Sequence, residues 1–186
     1  MGQIVVTEFI SLDGVIEAPG GGEDYKHAGW TFEFDRGDEG NKFKLDELVE
    51  AESQLLGRRT YEGFAAAWPD RTDEFGFAEK MNSMPKYVVS TTLQDADWNN
   101  TTILRSLDDV AKTKGDVDGV MLVAGSAQLV QGLLEADLVD ELRLMVFPVV
   151  LGTGKRLWGE TSAKKTFELA DSKSVGEGIA ILTFRR

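Results

Sequence analysis

Three segments of the sequence place residues suited to ligand binding at the point where a predicted strand ends. In the first, the apolar residues Leu55 and Leu56 lead to Gly57, Arg58 and Arg59, where a helix is predicted to begin. Glycine allows a ligand to approach the backbone closely, and the free N–H groups of a helix start attract anions. Because arginine also matches phosphate geometry, the segment predicts a phosphate-binding turn. The alternative is that both arginines pair with surface carboxylates.

The second and third segments also end a predicted strand with residues suited to ligand binding, but neither contains an arginine. Val120–Ala124 is a fully apolar predicted strand that leads to Gly125 and Ser126 at the start of another predicted helix. Two such turns converge on one ligand in an open parallel sheet, although Ser126 can also act as a simple helix cap. Ser90 ends a further strand, and its hydroxyl suits either a phosphate or ribose contact or a turn.

Asp13 is the candidate catalytic acid, since it follows the first predicted strand directly. That position suits a side chain that delivers a proton to a bound substrate. The pair Asp13-Gly14 is also a strong turn signal, which is the structural alternative.

The elements that would position these residues alternate between strand and helix through the middle of the chain. The predicted strands of this part are Gln3–Ile10, Gln54–Gly57, Lys86–Ser90, Ile103–Leu104, Val120–Ala124 and Glu141–Phe147. Two more strand-like segments, at 167–169 and 179–184, follow and are joined through Gly176–Gly178. This order predicts an α/β fold of three layers, with a mostly parallel central sheet, helices on both faces and an antiparallel C-terminal strand pair. No linker or repeat divides it, so one domain over residues 1–186 is expected.

The composition excludes several classes of function. The chain has 186 residues, no cysteine and one histidine, His27, which excludes disulfides, thiolate catalysis, zinc–sulfur sites and a two-histidine metal site. Acidic residues outnumber basic ones by 32 to 20, a net charge of −12, which disfavours nucleic acids and anionic membranes as partners. The N-terminal residues do not read as a signal peptide, and we expect a cytoplasmic protein without a bound metal.

Five segments, taken in their order and spacing, resemble the dihydrofolate reductase superfamily over nearly the whole chain. They are Ser11–Gly14, Leu56–Tyr61, Val88–Ser90, Val123–Ser126, and Val139–Leu142 continuing to Pro148–Lys155. The resemblance is greatest to the branch related to the reductase domain of bacterial riboflavin biosynthesis. It implies that fold, an NADPH cofactor and a homodimer, with the late strands at 141–148 and 179–184 near the interface as apolar edges that need cover.

The resemblance also implies roles for individual residues. The turn at 57–60 would hold the phosphate side of NADPH, Ser90 would lie near the 2′-phosphate, the turn at 125–128 would wrap the pyrophosphate, and the loop at 13–16 would cover the nicotinamide. The implied cofactor contacts are Gly14, Val15, Ile16, Gly57, Arg58, Arg59, Thr60, Ser90, Gly125, Ser126, Ala127 and Gln128. The implied walls of the substrate pocket are Trp30, Phe64 and Trp68.

The activity implied by the resemblance is an NADPH-dependent reduction. Hydride would pass to a C=N or C=O bond of a small heterocyclic substrate, pyrimidine-like or pterin-like. Two alternatives stay open: a dihydrofolate reductase proper, and a nucleotide-binding module that kept the fold without catalysis.

Overall fold

The longest apolar runs of the sequence form the centre of one eight-stranded sheet. The computed structural model describes all residues, Met1–Arg186. Its strands are β1 (Gln3–Ile10), β2 (Ala51–Gly57), β3 (Lys86–Val89), β4 (Thr101–Leu104), β5 (Val120–Ala124), β6 (Glu141–Val146), β7 (Glu168–Val175) and β8 (Ile179–Arg185). Its α-helices are α1 (Gly37–Glu50), α2 (Arg58–Ala67), α3 (Phe77–Ser83), α4 (Leu107–Asp116) and α5 (Ala127–Glu135), and a 3₁₀ turn spans Trp30–Glu33.

The strands are ordered β4-β3-β2-β5-β1-β6-β8-β7 across the sheet. Strands β1 to β6 are parallel, whereas β8 is antiparallel to β6 and β7 is antiparallel to β8. The predicted α/β architecture with an antiparallel C-terminal pair is therefore confirmed. As the first six strands share one direction, their carboxyl ends meet at a single edge.

Helices cover both faces of the sheet. Val110 of α4 and Leu133 of α5 belong to the apolar cluster on one face, and Leu48 of α1, Tyr61 of α2 and Met81 of α3 belong to the cluster on the other. A third apolar cluster, around Phe147, lies beside β6 and β8. None of the helices combines the length and the apolar composition needed to cross a bilayer.

Helix α3 is an element that the sequence patterns did not predict. It has only seven residues, of which Ala78 and Met81 are buried, so its apolar stripe is too short to stand out. The Asp73 carboxylate makes the helix start possible, because it accepts hydrogen bonds from the backbone N–H groups of Phe77 and Ala78 at 3.0 and 2.6 Å.

The late strands that we expected to be apolar edges lie inside the sheet, and that prediction is wrong. Strand β6 pairs with β1 and β8, and β8 pairs with β6 and β7. The edge on this side is β7, which is exposed over all but its last residue and largely polar. The need to cover apolar edge strands therefore gives no reason for an interface at β6 and β8.

Candidate functional site

The two predicted phosphate-binding turns lie side by side and are hydrogen-bonded to each other. Strands β2 and β5 are neighbours, so Gly57 and Gly125 leave the sheet at adjacent positions. The Gly57 N–H donates to the Ser126 hydroxyl at 2.9 Å, and the Ser126 N–H donates to the Thr60 hydroxyl at 3.0 Å. The helices that follow these two neighbouring strands cover opposite faces of the sheet, since Tyr61 of α2 and Leu133 of α5 belong to different apolar clusters, and such a point is the usual place for a ligand in these sheets.

The close approach of the two turns depends on glycine at position 125. Gly125 has a φ of 57°, and a Cβ there would lie 3.1 Å from the Thr60 hydroxyl oxygen. Ser126 follows with a φ of 60°, in the left-handed region. The two residues thus turn the chain sharply from β5 into α5, directly above Thr60.

Helices α2 and α5 begin at these turns without a side-chain cap and without an acidic residue in their first turns. The N-cap of α2 is Gly57, and the N-cap hydroxyl of α5, that of Ser126, contacts the Ala124 carbonyl and Gly57 instead. Every other α-helix has an acidic residue in its first turn, whereas α2 and α5 have none. In a chain with 32 acidic residues, two adjacent positive helix ends therefore lack an acidic side chain of their own, and the acid that contacts this pair of turns comes from another element, at Glu8.

Positive side chains surround this part of the edge. Arg58 pairs with Glu62 at 3.2 Å, as the alternative interpretation of the sequence allowed, whereas Arg59 is exposed and forms no ion pair. Ser90 makes a turn, since its hydroxyl accepts hydrogen bonds from the N–H groups of Thr92 and Leu93. Sequence reasoning missed Arg105, which donates to the Ser90 carbonyl at 2.9 Å; its signal was a basic residue directly after β4.

Asp13 organises a loop and is a carboxylate at neutral pH. It accepts hydrogen bonds from the Ser11 hydroxyl at 2.6 Å and from the N–H groups of Leu151 and Gly152 at 3.1 and 2.8 Å. The Ser11 bond first, and then the backbone bonds, lower its pKa to about 2 against the opposing effect of burial. Such an acid has no proton to deliver near pH 7, so the structure does not support the predicted role of Asp13 as proton donor.

The residues after Asp13 are held by a later segment of the chain. Gly14 lies against Trp158, and Val15 and Ile16 are buried. The Ile16 N–H donates to the Lys155 carbonyl at 2.9 Å. These residues share the carboxyl edge of β1 with the two turns, but Val15 and Ile16 offer a ligand little surface.

The three aromatic residues predicted to wall the substrate pocket do not come together. Trp30 is 1% exposed and packs edge-on against Phe147, at 5.3 Å between ring centroids. Phe64 and Trp68 pack in a different cluster on α2. Trp68 caps the far end of that helix, about 15 Å along its axis from Arg58.

Glu8 is a buried acid beside the Gly125 turn that sequence reasoning also missed. Its carboxylate oxygen Oε2 accepts a hydrogen bond from the Gly125 N–H at 3.1 Å, and Oε1 has no partner. Burial raises its pKa well above the ordinary value, against the opposing effects of Lys44 and of the Gly125 bond. The signal for it was the one charged residue in a predicted strand that is otherwise mostly apolar.

The fold and this edge define a dihydrofolate reductase-like α/β protein. Among solved structures, the chain is similar to a "Putative riboflavin biosynthesis protein" from Shewanella sp. PV-4, with a TM-score of 0.75, 22% identity, and 99% of this chain and 98% of that one covered. It is also similar to the dihydrofolate reductase of Enterococcus faecalis complexed with NADP(H) and RAB-propyl, with a TM-score of 0.59, 15% identity, and 99% and 96% covered.

The chain belongs to the RibD C-terminal domain family, whose model matches residues 3–181. Similar proteins include uncharacterized protein YyaP of Bacillus subtilis (strain 168), 26% identical over 191 residues, with 98% of this chain and 94% of that protein covered. Uncharacterized protein YwjB of the same strain is 27% identical over 174 residues, with 92% and 91% covered. The resemblance inferred from the sequence is thereby confirmed.

Proposed function

We propose that this protein is an NADPH-dependent reductase that transfers hydride to a C=N or C=O bond of a small pyrimidine-like or pterin-like substrate. The observation that carries the proposal is the pair of helix starts at Gly57 and Ser126, which have no acidic residue in their first turns and are hydrogen-bonded to each other in an otherwise acidic protein. Two further findings support it: membership of the RibD C-terminal domain family, and the similarity to a dihydrofolate reductase complexed with NADP(H).

The two turns fit the phosphates of a dinucleotide. A Cβ at position 125 would lie against Thr60, so glycine is what allows the two turns to lie next to each other. The first-turn N–H groups of α5, at Ala127 and Gln128, would hold the pyrophosphate, and Arg58, Arg59 and Ser90 would hold the 2′-phosphate. NADPH supplies the hydride when bound, and the chain's own residues bind and orient it. Gly14, Val15 and Ile16 would border the nicotinamide end from β1.

A titration with NADPH tests the cofactor site directly. Saturable quenching of the fluorescence of the four tryptophans is expected, and no saturable binding would overturn the proposal. NADPH oxidation in the presence of a panel of pyrimidines, pterins and dihydrofolate then tests the reaction. Binding without turnover on any substrate would favour the non-catalytic module, and turnover confined to dihydrofolate would favour a dihydrofolate reductase proper.

Replacing either arginine of the first turn tests the choice of NADPH over NADH. We expect Arg58→Ala and Arg59→Ala to weaken NADPH by about tenfold to a hundredfold, the value of one charged hydrogen bond to a phosphate, and NADH far less. Arg59→Ala should have the larger effect, because Arg58 is partly engaged by Glu62.

Arg71→Ala is the matched control for these variants. Arg71 stacks on Trp68 at the far end of α2, so its loss leaves the turn unchanged. Equal losses of NADPH and NADH affinity in the Arg58 and Arg59 variants would contradict contact with a 2′-phosphate.

We also propose that two copies associate. An apolar groove of about 500 Å³ beside β6 and β8, lined by Leu144, Leu182 and Phe184 among others, supports this proposal. Sedimentation equilibrium tests it, with a single species of 20.4 kDa as the contrary result.

A further inference from the structure

Glu8 joins the central strand of the sheet to the turn that follows the neighbouring strand. It lies near the carboxyl end of β1 and is 4% exposed. Its Oε2 accepts the Gly125 N–H at 3.1 Å, across a sequence separation of 117 residues. Its Oε1 is buried and has no hydrogen-bond partner. The carboxyl group therefore occupies one of the backbone donors that begin the proposed phosphate-binding turn.

The charges around Glu8 leave it without a direct ion partner. Lys44 on α1 favours the ionised form from a distance, and Glu47 on the same helix opposes it. The Lys44 ammonium is engaged by Glu47 at 2.6 Å and by the Thr7 hydroxyl at 2.7 Å.

The other elements beside Glu8 supply no cation to it. Strand β5 has no ionisable side chain, and the only one on α5 is Glu135 in its last turn. On β6, Arg143 is bound to Glu141 and Glu50. A buried carboxyl group in these surroundings favours its neutral form.

An anion at the turn and a carboxylate at Glu8 are in conflict. Both would accept from the same N–H group, and their negative charges would repel each other where water is excluded. The protonated acid removes the repulsion and is a weaker acceptor, which frees the Gly125 N–H for the ligand.

We propose that Glu8 couples the binding of the dinucleotide phosphates to the uptake of one proton, so that the turn accepts the cofactor when Glu8 is neutral. This inference rests on the proposed function, because it assumes that the turns at Gly57 and Gly125 bind NADPH. Glu8 is not one of the proposed phosphate contacts. The inference therefore adds to the site a buried residue whose protonation is coupled to binding.

The experiment compares the NADPH dissociation constant of the wild type and of Glu8→Gln from weakly acidic to alkaline pH. For the wild type, we expect the constant to rise with pH above the pKa of Glu8, with a limiting slope of about tenfold per pH unit for one proton. Glutamine keeps the size and the acceptor oxygen of the side chain but cannot ionise. The Glu8→Gln variant should therefore lack this rise and bind NADPH more tightly than the wild type at pH values above the pKa of Glu8.

Glu168→Gln is the matched control, since Glu168 is exposed on the edge strand β7, and it should follow the wild type. The titration of the cofactor's own 2′-phosphate is common to all three proteins and cancels in the comparison. A wild-type constant that does not change with pH, or an equal rise in Glu8→Gln, would overturn the coupling while leaving the cofactor site intact. Absence of saturable binding at every pH would overturn the proposed cofactor site and this inference with it.

Calorimetry of the wild type gives a second measurement that does not depend on a variant. Titrating NADPH in two buffers of different ionisation enthalpy yields the number of protons exchanged on binding. We expect uptake to approach one proton per NADPH at pH values above the pKa of Glu8 in the free protein. No uptake there would overturn the inference even if Glu8→Gln failed to fold.

Discussion

Asp13 fixes the loop between residues 148 and 156 as a charged acceptor, and this role gives a pH dependence of stability. Its pKa is about 2 in the folded protein, below the ordinary value of roughly 3.9. An acid with a lowered folded pKa stabilises the native state above the ordinary pKa and loses that contribution as the pH falls towards 2.

We expect Asp13→Asn to lower the free energy of unfolding at pH 7 by about 1 kcal/mol, allowing for partial solvent screening of the side chain. The difference from the wild type should shrink as the pH falls from about 4 towards 2, because the unfolded chain takes up the proton near the ordinary pKa and the folded protein follows near 2. Urea denaturation at several pH values measures this. Asp95→Asn, at an exposed position without hydrogen bonds of its side chain, is the control, and a difference that is constant with pH would contradict the assignment.

Two acids, Glu8 in β1 and Asp13 in the loop after it, show how much sequence reasoning can predict about a single residue. The position of Asp13 after a strand was predicted, but its protonation state depends on N–H groups at Leu151 and Gly152 that are distant in sequence. Glu8 was missed because its role depends on the Gly125 N–H, which is 117 residues away in the sequence. The turns at Gly57 and Gly125 were found because glycine, hydroxyl and strand end are all local features.

Outside the candidate site, Lys86 holds three neighbouring elements together through hydrogen bonds of its ammonium group. It is fully buried at the start of β3, and its ammonium donates to the carbonyls of Asn82, Met84 and Asn99 at 2.9, 2.9 and 3.1 Å. It thereby ties the end of α3 and the start of β4 to the same strand, and it lies 4.3 Å from the centre of the Trp98 ring.

Lys86→Met should destabilise the protein by about 3 kcal/mol, since it leaves one buried and two part-buried carbonyls without their donor. Chemical denaturation followed by tryptophan fluorescence measures the loss, and NADPH affinity should be unaffected because β3 meets the site only at Ser90. Lys164→Met, at an exposed position, is the control. Stability equal to the wild type would mean that water replaces the ammonium at these carbonyls.

Elements with a long local signal were predictable, and those fixed by tertiary contacts were not. Strand β5 was predicted with its observed bounds because five consecutive apolar residues stand between two glycines, Gly119 and Gly125. Strand β7 was predicted over only two of its residues, as its polar sequence has no pattern of its own and it forms by pairing with β8. Helix α3 likewise depends on a contact from outside the element, because its first N–H groups are held by the Asp73 carboxylate.

The position of each strand in the sheet sets its protection from solvent. Strand β1 is paired on both sides, by β5 and β6, whereas β7 and β4 are edges. We expect hydrogen exchange to be slowest in β1 and β5 and much faster at the outward N–H groups of β7. Exchange followed by mass spectrometry measures this, with exposed loop amides as the internal reference. Protection of β7 equal to that of β1 would indicate that a second copy covers this edge.

The order of strands was the part of the whole molecule that the sequence did not reveal. Alternation of helix and strand predicts a parallel sheet, but not that β5 returns to lie between β2 and β1, or that β8 separates β6 from β7. These placements follow from which apolar faces can be buried together, a property of the complete chain.

The central place of β1 also bears on how the chain reaches this structure. Its partners lie far along the sequence, as the contact of Ile4 with Asp140, 136 residues away, illustrates. Closing such long loops is slow, so we infer a folding rate below that of chains of this size with local contacts. Until β5 and β6 have formed, the apolar residues of β1 have nothing to pair with, and an early intermediate would expose them to aggregation. The position of this one strand between β5 and β6 joins the two parts of the sheet and brings Glu8 to Gly125.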